Sequence, residues 1–211
     1  MPRFRVWTHR SPAVVLGQAQ RSLRNAIEQR IDGRAELLDR EAGGGAVLTG
    51  PWMVSASVIL PQGHPLLGDS LVGCYRWLGQ LHAAALAEFG VPALALPAQA
   101  LPVANAMIDA QTVNWACFGG LSPWEVVDAG FRKLVGLAQR RRQAGVLLVA
   151  GTLVGATDWS LLCDVMGYPQ DEAILRRRTA SSEELAGRPI EPEAFASALA
   201  RLIGNSLAAS D

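Results

Sequence analysis

Three short segments of this chain hold residue types that could do chemistry. Lys133 is the single lysine among 19 basic residues, set in Gly130-Phe131-Arg132-Lys133-Leu134-Val135-Gly136. A chain that meets its other cationic needs with arginine marks, by keeping one lysine, a place where a compact point charge is wanted. An ammonium with three rotatable donors on a flexible stem suits a carboxylate and a phosphate held together, or a tetrahedral oxyanion. Cys117, in Trp115-Ala116-Cys117-Phe118, is a nucleophile if a nearby cation lowers its pKa, and a small buried hydrophobe otherwise. Gly43-Gly44-Gly45 follows Arg40-Glu41-Ala42 and leads into an apolar run. Three missing Cβ atoms let a ligand come close to the backbone amides, and equally permit a flexible hairpin turn.

Other chemistries find little footing. His9, His64 and His82 have no metal-ligand spacing, and no Ser/His/Asp order stands out. Cys74 and Cys163 fall on helical faces where a core role dominates, and the odd total of three cysteines, without any CxxC, argues against disulfides or zinc. Nineteen basic and nineteen acidic residues cancel, so no bulk charge points to nucleic acid. The triplets Arg140-Arg141-Arg142 and Arg176-Arg177-Arg178 could meet an acidic partner or a phosphate, or be solvated surface; no interleaved aromatics make them a base-stacking platform. The longest nearly apolar run, residues 145–156, is too short to cross a bilayer, and the start lacks a signal peptide's apolar stretch. A cytoplasmic location, with neither membrane nor nucleic acid as partner, is the expectation.

These residues need elements to position them. Half of the 211 residues are hydrophobic and 18% are charged, the composition of an ordered domain with a real core. Short β-type runs are expected at residues 4–9, 12–17, 35–39, 46–49 and 53–60, with a short helix at 22–31. Leu71, Tyr75, Leu78, Leu81, Ala85 and Phe89 recur at three- and four-residue steps and predict a long helix over 70–89, ended by Gly90. Prolines at 92, 97 and 102 then favour a strand and a connector over a long helix. A second β-rich block is expected at 112–118, 125–128, 133–140 and 146–154, and helices at 158–166, 170–178 and 192–207. The fold class that follows is α+β, mixed β-sheets with flanking helices, organised as a domain over residues 1–167 with a helical extension, 168–211, packed on it.

Taken in order, several segments resemble the biotin/lipoate protein ligase superfamily, which includes the lipoate-protein ligases and octanoyltransferases. They are Trp7 with Pro12-Ala13-Val14-Val15-Leu16-Gly17 and Gln20, then Arg40 to Leu48, Cys117-Phe118, Arg132 to Arg140, and Gly151-Thr152-Leu153. The resemblance implies a catalytic domain whose glycine loop and lysine-bearing strand line a tunnel for a lipoyl or octanoyl chain. It implies contacts to substrate from Arg40, Gly43, Gly44, Gly45, Val47, Gly136, Ala138, Gly151 and Thr152, with Lys133 and Cys117 as catalytic residues and no bound metal among the site's own ligands. The leading expectation is a lipoate-protein ligase that uses ATP and Mg²⁺ to form an acyl-adenylate, with Lys133 contacting carboxylate and α-phosphate. The acyl group then passes to a lysine of a lipoyl domain, from a 2-oxoacid dehydrogenase or a glycine-cleavage H-like protein. Two other readings stand beside it. Cys117, sixteen residues before Lys133, matches the acylated cysteine of a sister group of octanoyltransferases, which implies ATP-independent transfer between carriers, an acyl carrier protein among them. A diverged acyl-binding protein is the third. The family's histidine before Gly-Thr is Ala150 here, the serine after Gly136 is Leu137, and the first of two arginines before the glycine loop is Asp39. These departures weigh against ATP-dependent activation more than against acyl binding.

Overall fold

The structure, a computed structural model, describes residues 1–68, 72–108 and 111–210. Two sheets form its frame. β1 (Arg3–Thr8), β5 (Met53–Pro61), β9 (Gly145–Leu153), β8 (Lys133–Arg142), β7 (Val126–Val127) and β6 (Leu94–Ala95) lie side by side in that order, every neighbouring pair antiparallel. A smaller mixed sheet has β2 (Ala13–Leu16) at its centre, parallel to β3 (Glu36–Asp39) and antiparallel to β4 (Val47–Thr49). The expected α+β class with mixed sheets and flanking helices is what the chain forms.

The helices cover both faces of the large sheet. α2 (Gly73–Glu88) and α7 (Pro192–Ala208) pack on one side, where Leu78, Leu86, Phe195, Leu199 and Ile203 meet Val54, Val58 and Leu148 in one core. Phe195, Leu199, Ile203 and Leu207 recur at helical spacing and are all buried; four such side chains favour the docked helix by on the order of 6–12 kcal/mol before ordering entropy is counted. On the other side a second core gathers Val14, Leu16, Leu48, Met53 and Phe118 with Ile27 and Ile31 of α1 (Arg24–Ile31) and Leu162 of α4 (Trp159–Met166). The small sheet therefore lies over the large one, and the space between them is where a ligand can enter.

Local signals explain most boundaries. α4 starts where the Asp158 carboxylate accepts the Leu161 amide at 3.0 Å and ends at Gly167 in a left-handed conformation. α2 is described from Gly73; Ser70 and Leu71, at the start of the expected helix, lie outside the described residues. Two expectations are corrected. Residues 112–118 form no strand but a loop of tight turns, with a single bridge between Ala46 and Ala116 as their β-type pairing. The second concerns the stretch after the prolines, where no element was expected: a short helix, α3 (Leu101–Met107), follows the expected strand β6, and Pro102 sits in its first turn, where the missing N–H has no intrahelical partner to lose. The C-terminal region adds α5 (Glu172–Arg178) and a short α6 (Ser182–Ala186), capped by the Ser181 hydroxyl.

Candidate active site

The glycine loop is held open by its neighbours rather than left to flex. Arg40, at the end of β3, donates to the Val15, Gly43 and Gly45 carbonyls at 3.3, 3.1 and 2.5 Å. Glu41 is exposed and pairs with Arg21, Arg140 and Arg142; the hydrogen bond from Arg21, then the charge of Arg140, hold its carboxyl below the usual range. Gly45 must be a glycine because a Cβ there would sit 2.3 Å from the Trp115 carbonyl oxygen. That approach lets the Ala46 amide donate to Trp115 O at 2.7 Å and the Cys117 amide donate to Ala46 O at 2.8 Å. Two loops distant in sequence are thus stitched into one wall.

Lys133 opens β8, and its side chain turns back beneath the Cys117 loop. The ammonium donates to the Cys117 carbonyl at 2.8 Å and the Gly120 carbonyl at 3.1 Å, and meets the Glu125 carboxylate at 2.6 Å. The Phe118 ring lies under it, 5.2 Å from nitrogen to centroid. Lys133 and Glu125 are each 2% exposed, so every one of the three ammonium protons is spent inside the protein. Glu125 in turn accepts from the Ser122 and Leu137 amides at 2.8 and 3.2 Å. Burial pushes its carboxyl above the ordinary range, and the Lys133 charge opposes that push. Cys117 itself is half-buried, whereas Cys74 and Cys163 are fully buried and their thiols are raised by desolvation, Cys163 to about 12. The C-terminal region props the same loop: the Trp115 indole donates to Asp171 at 2.7 Å and stacks on Tyr168.

Two cavities meet at Cys117. One, of about 350 Å³, lies between the sheets and is walled mainly by apolar groups, among them Val15, Val47, Met53, Phe118 and Val149, with the His9–Ser55 pair at 2.9 Å on its border. The other, of about 390 Å³, is more polar and contains Tyr75, Asn114, Glu125, Lys133 and Gln139 beside the glycine loop. Of the residues expected at the site, Arg40, Val47, Gly136 and Gly151 line the first cavity, Gly43, Gly44, Gly45 and Lys133 the second, and Cys117 and Ala138 both. Thr152 lines neither; one step along β9 from Gly151, it points to the opposite face and is fully buried. Sequence reasoning missed Glu125, Tyr75, His9 and Ser55. The only signal for Glu125 was an acid between Trp124 and an apolar pair, whose partner lies eight residues on. Among the described residues no group of three His, Cys, Asp or Glu side chains gathers as metal ligands, and no helix is long and apolar enough to cross a membrane.

The arrangement sets Cys117 between an apolar cavity and a more polar one, with the buried Lys133–Glu125 pair beneath its loop. The lipoyl protein ligase A/B catalytic domain matches residues 1–203. Octanoyltransferase LipM of Kyrpidia tusciae is 29% identical over 226 residues, covering 99% of this chain and 76% of its own length. The LipM of Moorella thermoacetica is 29% identical over 198 residues, covering 90% and 68%. Among solved structures, a bipartite lipoate protein ligase from Thermoplasma acidophilum, described with its E2 lipoyl domain, superposes with a TM-score of 0.68 at 19% identity, over 98% of this chain and 71% of that one. At that identity the likeness shows a shared fold.

Proposed function

The chain belongs to the lipoyl protein ligase A/B catalytic-domain family and is an enzyme of the octanoyltransferase and lipoate-ligase type; from that premise we propose that it transfers an octanoyl or lipoyl group through a thioester on Cys117. The observation that carries this reading is the place of Cys117, where the apolar and the polar cavity join. The apolar cavity takes the acyl chain, with a volume within the range of small-molecule pockets. The polar vestibule admits the arm of the acyl donor and then the acceptor lysine. The expected carriers are an acyl carrier protein as donor and, as acceptor, a lipoyl domain of a 2-oxoacid dehydrogenase or a glycine-cleavage H-like protein, in the cytoplasm.

In the first half-reaction the Cys117 sulfur attacks the donor's thioester carbonyl, the old C–S bond breaks, and the thiol proton leaves with the departing thiolate. In the second, the neutral amine of the acceptor lysine attacks the Cys117 thioester, an amide forms, and a proton returns to the Cys117 sulfur. Lys133 holds the loop that presents the thiol through its bonds to the Cys117 and Gly120 carbonyls. Glu125 and these backbone carbonyls fix where the ammonium sits.

The ligase reading requires cations for the ATP phosphates, with Mg²⁺ beside them. The two expected to serve are Lys133 and Arg40. The Lys133 ammonium is saturated by Cys117, Gly120 and Glu125, and Arg40 is engaged by three backbone carbonyls. These residues do not fit a nucleotide triphosphate, and no step is drawn through one. Intact-mass spectrometry after incubation with an octanoyl-thioester donor decides the matter: an octanoyl adduct is expected on the wild-type chain and none on Cys117→Ala. An unchanged adduct on Cys117→Ala, or acyl transfer to a lipoyl domain that depends on added ATP, overturns the thioester reading.

A further inference from the structure

Four residues from four adjacent strands stand in one row across the floor of the apolar cavity. Gly136 of β8 is paired with Gly151 of β9, Gly151 with Ser55 of β5, and Ser55 with Trp7 of β1, and all four line the cavity. At the β8 end stand Cys117 and Phe118; a Cβ on Gly136 would meet the Phe118 ring at 3.3 Å. Neither glycine adds a side chain of its own to this trough, which runs from the Cys117 loop toward β1; the Phe118 ring stands over Gly136, and the Met53 sulfur, 3.1 Å from where a Gly151 Cβ would sit, over Gly151. The trough meets a polar pair, His9 Nε2 and Ser55 Oγ, 2.9 Å apart, with Ser55 buried. Burial lowers the His9 pKa, so the ring is neutral at physiological pH and its hydrogen bond to Ser55 is one between uncharged groups.

The length of this trough can be estimated from the register. Neighbouring strands lie about 4.8 Å apart, so Ser55, two strands from Gly136, is about 10 Å away across the sheet. A saturated chain with bonds of about 1.5 Å at tetrahedral angles advances about 1.25 Å per carbon, and eight carbons cover about 9 Å. We propose that the His9–Ser55 hydrogen-bonded pair is the chain-length gauge of the acyl site. An eight-carbon chain ends against the intact pair. A longer one has to part His9 from Ser55 and leave two polar groups unpaired against hydrocarbon, which is costlier than crowding an apolar wall that can yield. The gauge rests on the reading of Cys117 as the acylated residue.

The test offers thioesters of six-, eight-, ten- and twelve-carbon acids to the full chain and reads the rate of Cys117 acylation by intact mass. Wild-type protein is expected to be fastest with eight carbons and slower by about tenfold or more with twelve. The His9→Ala/Ser55→Ala variant removes both polar ends and opens the trough, and its optimum is expected to move to ten carbons or beyond, read as a rise in the ratio of the ten- and twelve-carbon rates to the eight-carbon rate. Ser55→Ala alone, a smaller change, is expected to move the profile in the same direction and serves if the double variant does not fold. Eight-carbon acylation that persists with an unshifted profile in both variants overturns the gauge and leaves the thioester reading standing. No Cys117 adduct on wild-type protein at any length overturns both.

Discussion

Two opposite charges, each 2% exposed and 2.6 Å apart, stand directly behind the candidate nucleophile. Such a pair is expensive to desolvate, and removing one partner is worse because it strands the other. Glu125→Leu or Lys133→Met alone is therefore expected to destabilise the fold by about 3–5 kcal/mol in denaturant unfolding. The double change should recover most of that loss, since an apolar pair of similar volume replaces the ions. Acylation of Cys117 should nevertheless stay low in all three proteins. A double variant that loses the sum of the two single losses would mean that the two residues do not act as a coupled pair. His82 raises a separate question of pH. Its ring is fully buried on α2, donates from Nδ1 to the Leu78 carbonyl at 2.8 Å, and burial lowers its pKa from 6.5 to about 4. Above pH 6.5 both folded and unfolded states hold it neutral, and nothing is lost. As pH falls from 6.5 toward 4 the unfolded chain takes up a proton that the folded one refuses, so this residue withdraws about 3 kcal/mol of stability across that window. His82→Gln should flatten the acid limb of the stability profile by about that amount, and an unchanged slope in urea titrations at several pH values would count against it.

At the scale of elements, the site depends on how close the glycine loop and the Cys117 loop come. A methyl group on Gly45 would overlap the Trp115 carbonyl, so Gly45→Ala must push the loops apart and break the Ala46–Trp115 and Cys117–Ala46 hydrogen bonds. The expected cost is about 1–3 kcal/mol of stability, the range for forced overpacking. The rate of Cys117 acylation should fall by a larger factor than stability does, because the thiol is displaced while the sheets and helices keep their circular-dichroism signature. Full acylation rates in Gly45→Ala would show that loop contact is dispensable. How much of this was legible in the sequence varies with the range of the interaction. α2 and α7 were readable because Leu78, Leu81 and Ala85, and Phe195, Leu199 and Leu202, repeat every three or four residues, and β8 and β9 because they are rich in valine and leucine and set off by the turn glycines Gly130 and Gly145. The Trp115-Ala116-Cys117-Phe118 run looked like a strand because it is apolar, yet its burial comes from contacts with Asp171, Tyr168 and Trp159, which local pattern does not encode. Lys133, Cys117 and the three glycines were found because their types are conspicuous. Glu125 was not, because its role exists only once the register places β7 beside β8 and brings its carboxylate to the lysine.

At the scale of the whole molecule, the question is whether the helices after residue 167 fold with the sheets or are carried by them. α7 packs on β1, β5 and α2, and its Phe195, Leu199, Ile203 and Leu207 belong to the same apolar core as Val54, Val58 and Leu148 of the large sheet. Thr179 bridges to Lys133, the Ala180 amide donates to the Lys133 carbonyl at 3.2 Å, and Asp171 holds Trp115 beside the thiol. Stripping α7 would lay bare one face of the main core, and losing the 168–180 segment would free both the start of β8 and the Cys117 loop. The whole chain is accordingly expected to unfold in one cooperative step. Phe195→Ala, at a ring that is fully buried and tilted against Phe89 at 5.6 Å, should lower the stability of that single transition by about 3–5 kcal/mol. Tryptophan fluorescence and circular dichroism, followed together in urea, provide the check. Trp115 and Trp159 sit on the far side of the sheet from Phe195, so a shared midpoint that moves together in both signals means the C-terminal helices and the acyl site stand or fall as one body. Trp77, whose indole donates to Ser206 of α7 at 2.7 Å, reports the helix side, so a two-step fluorescence curve, its early step shifted by Phe195→Ala and its late step left in place, would instead make the C-terminal helices an independent appendage.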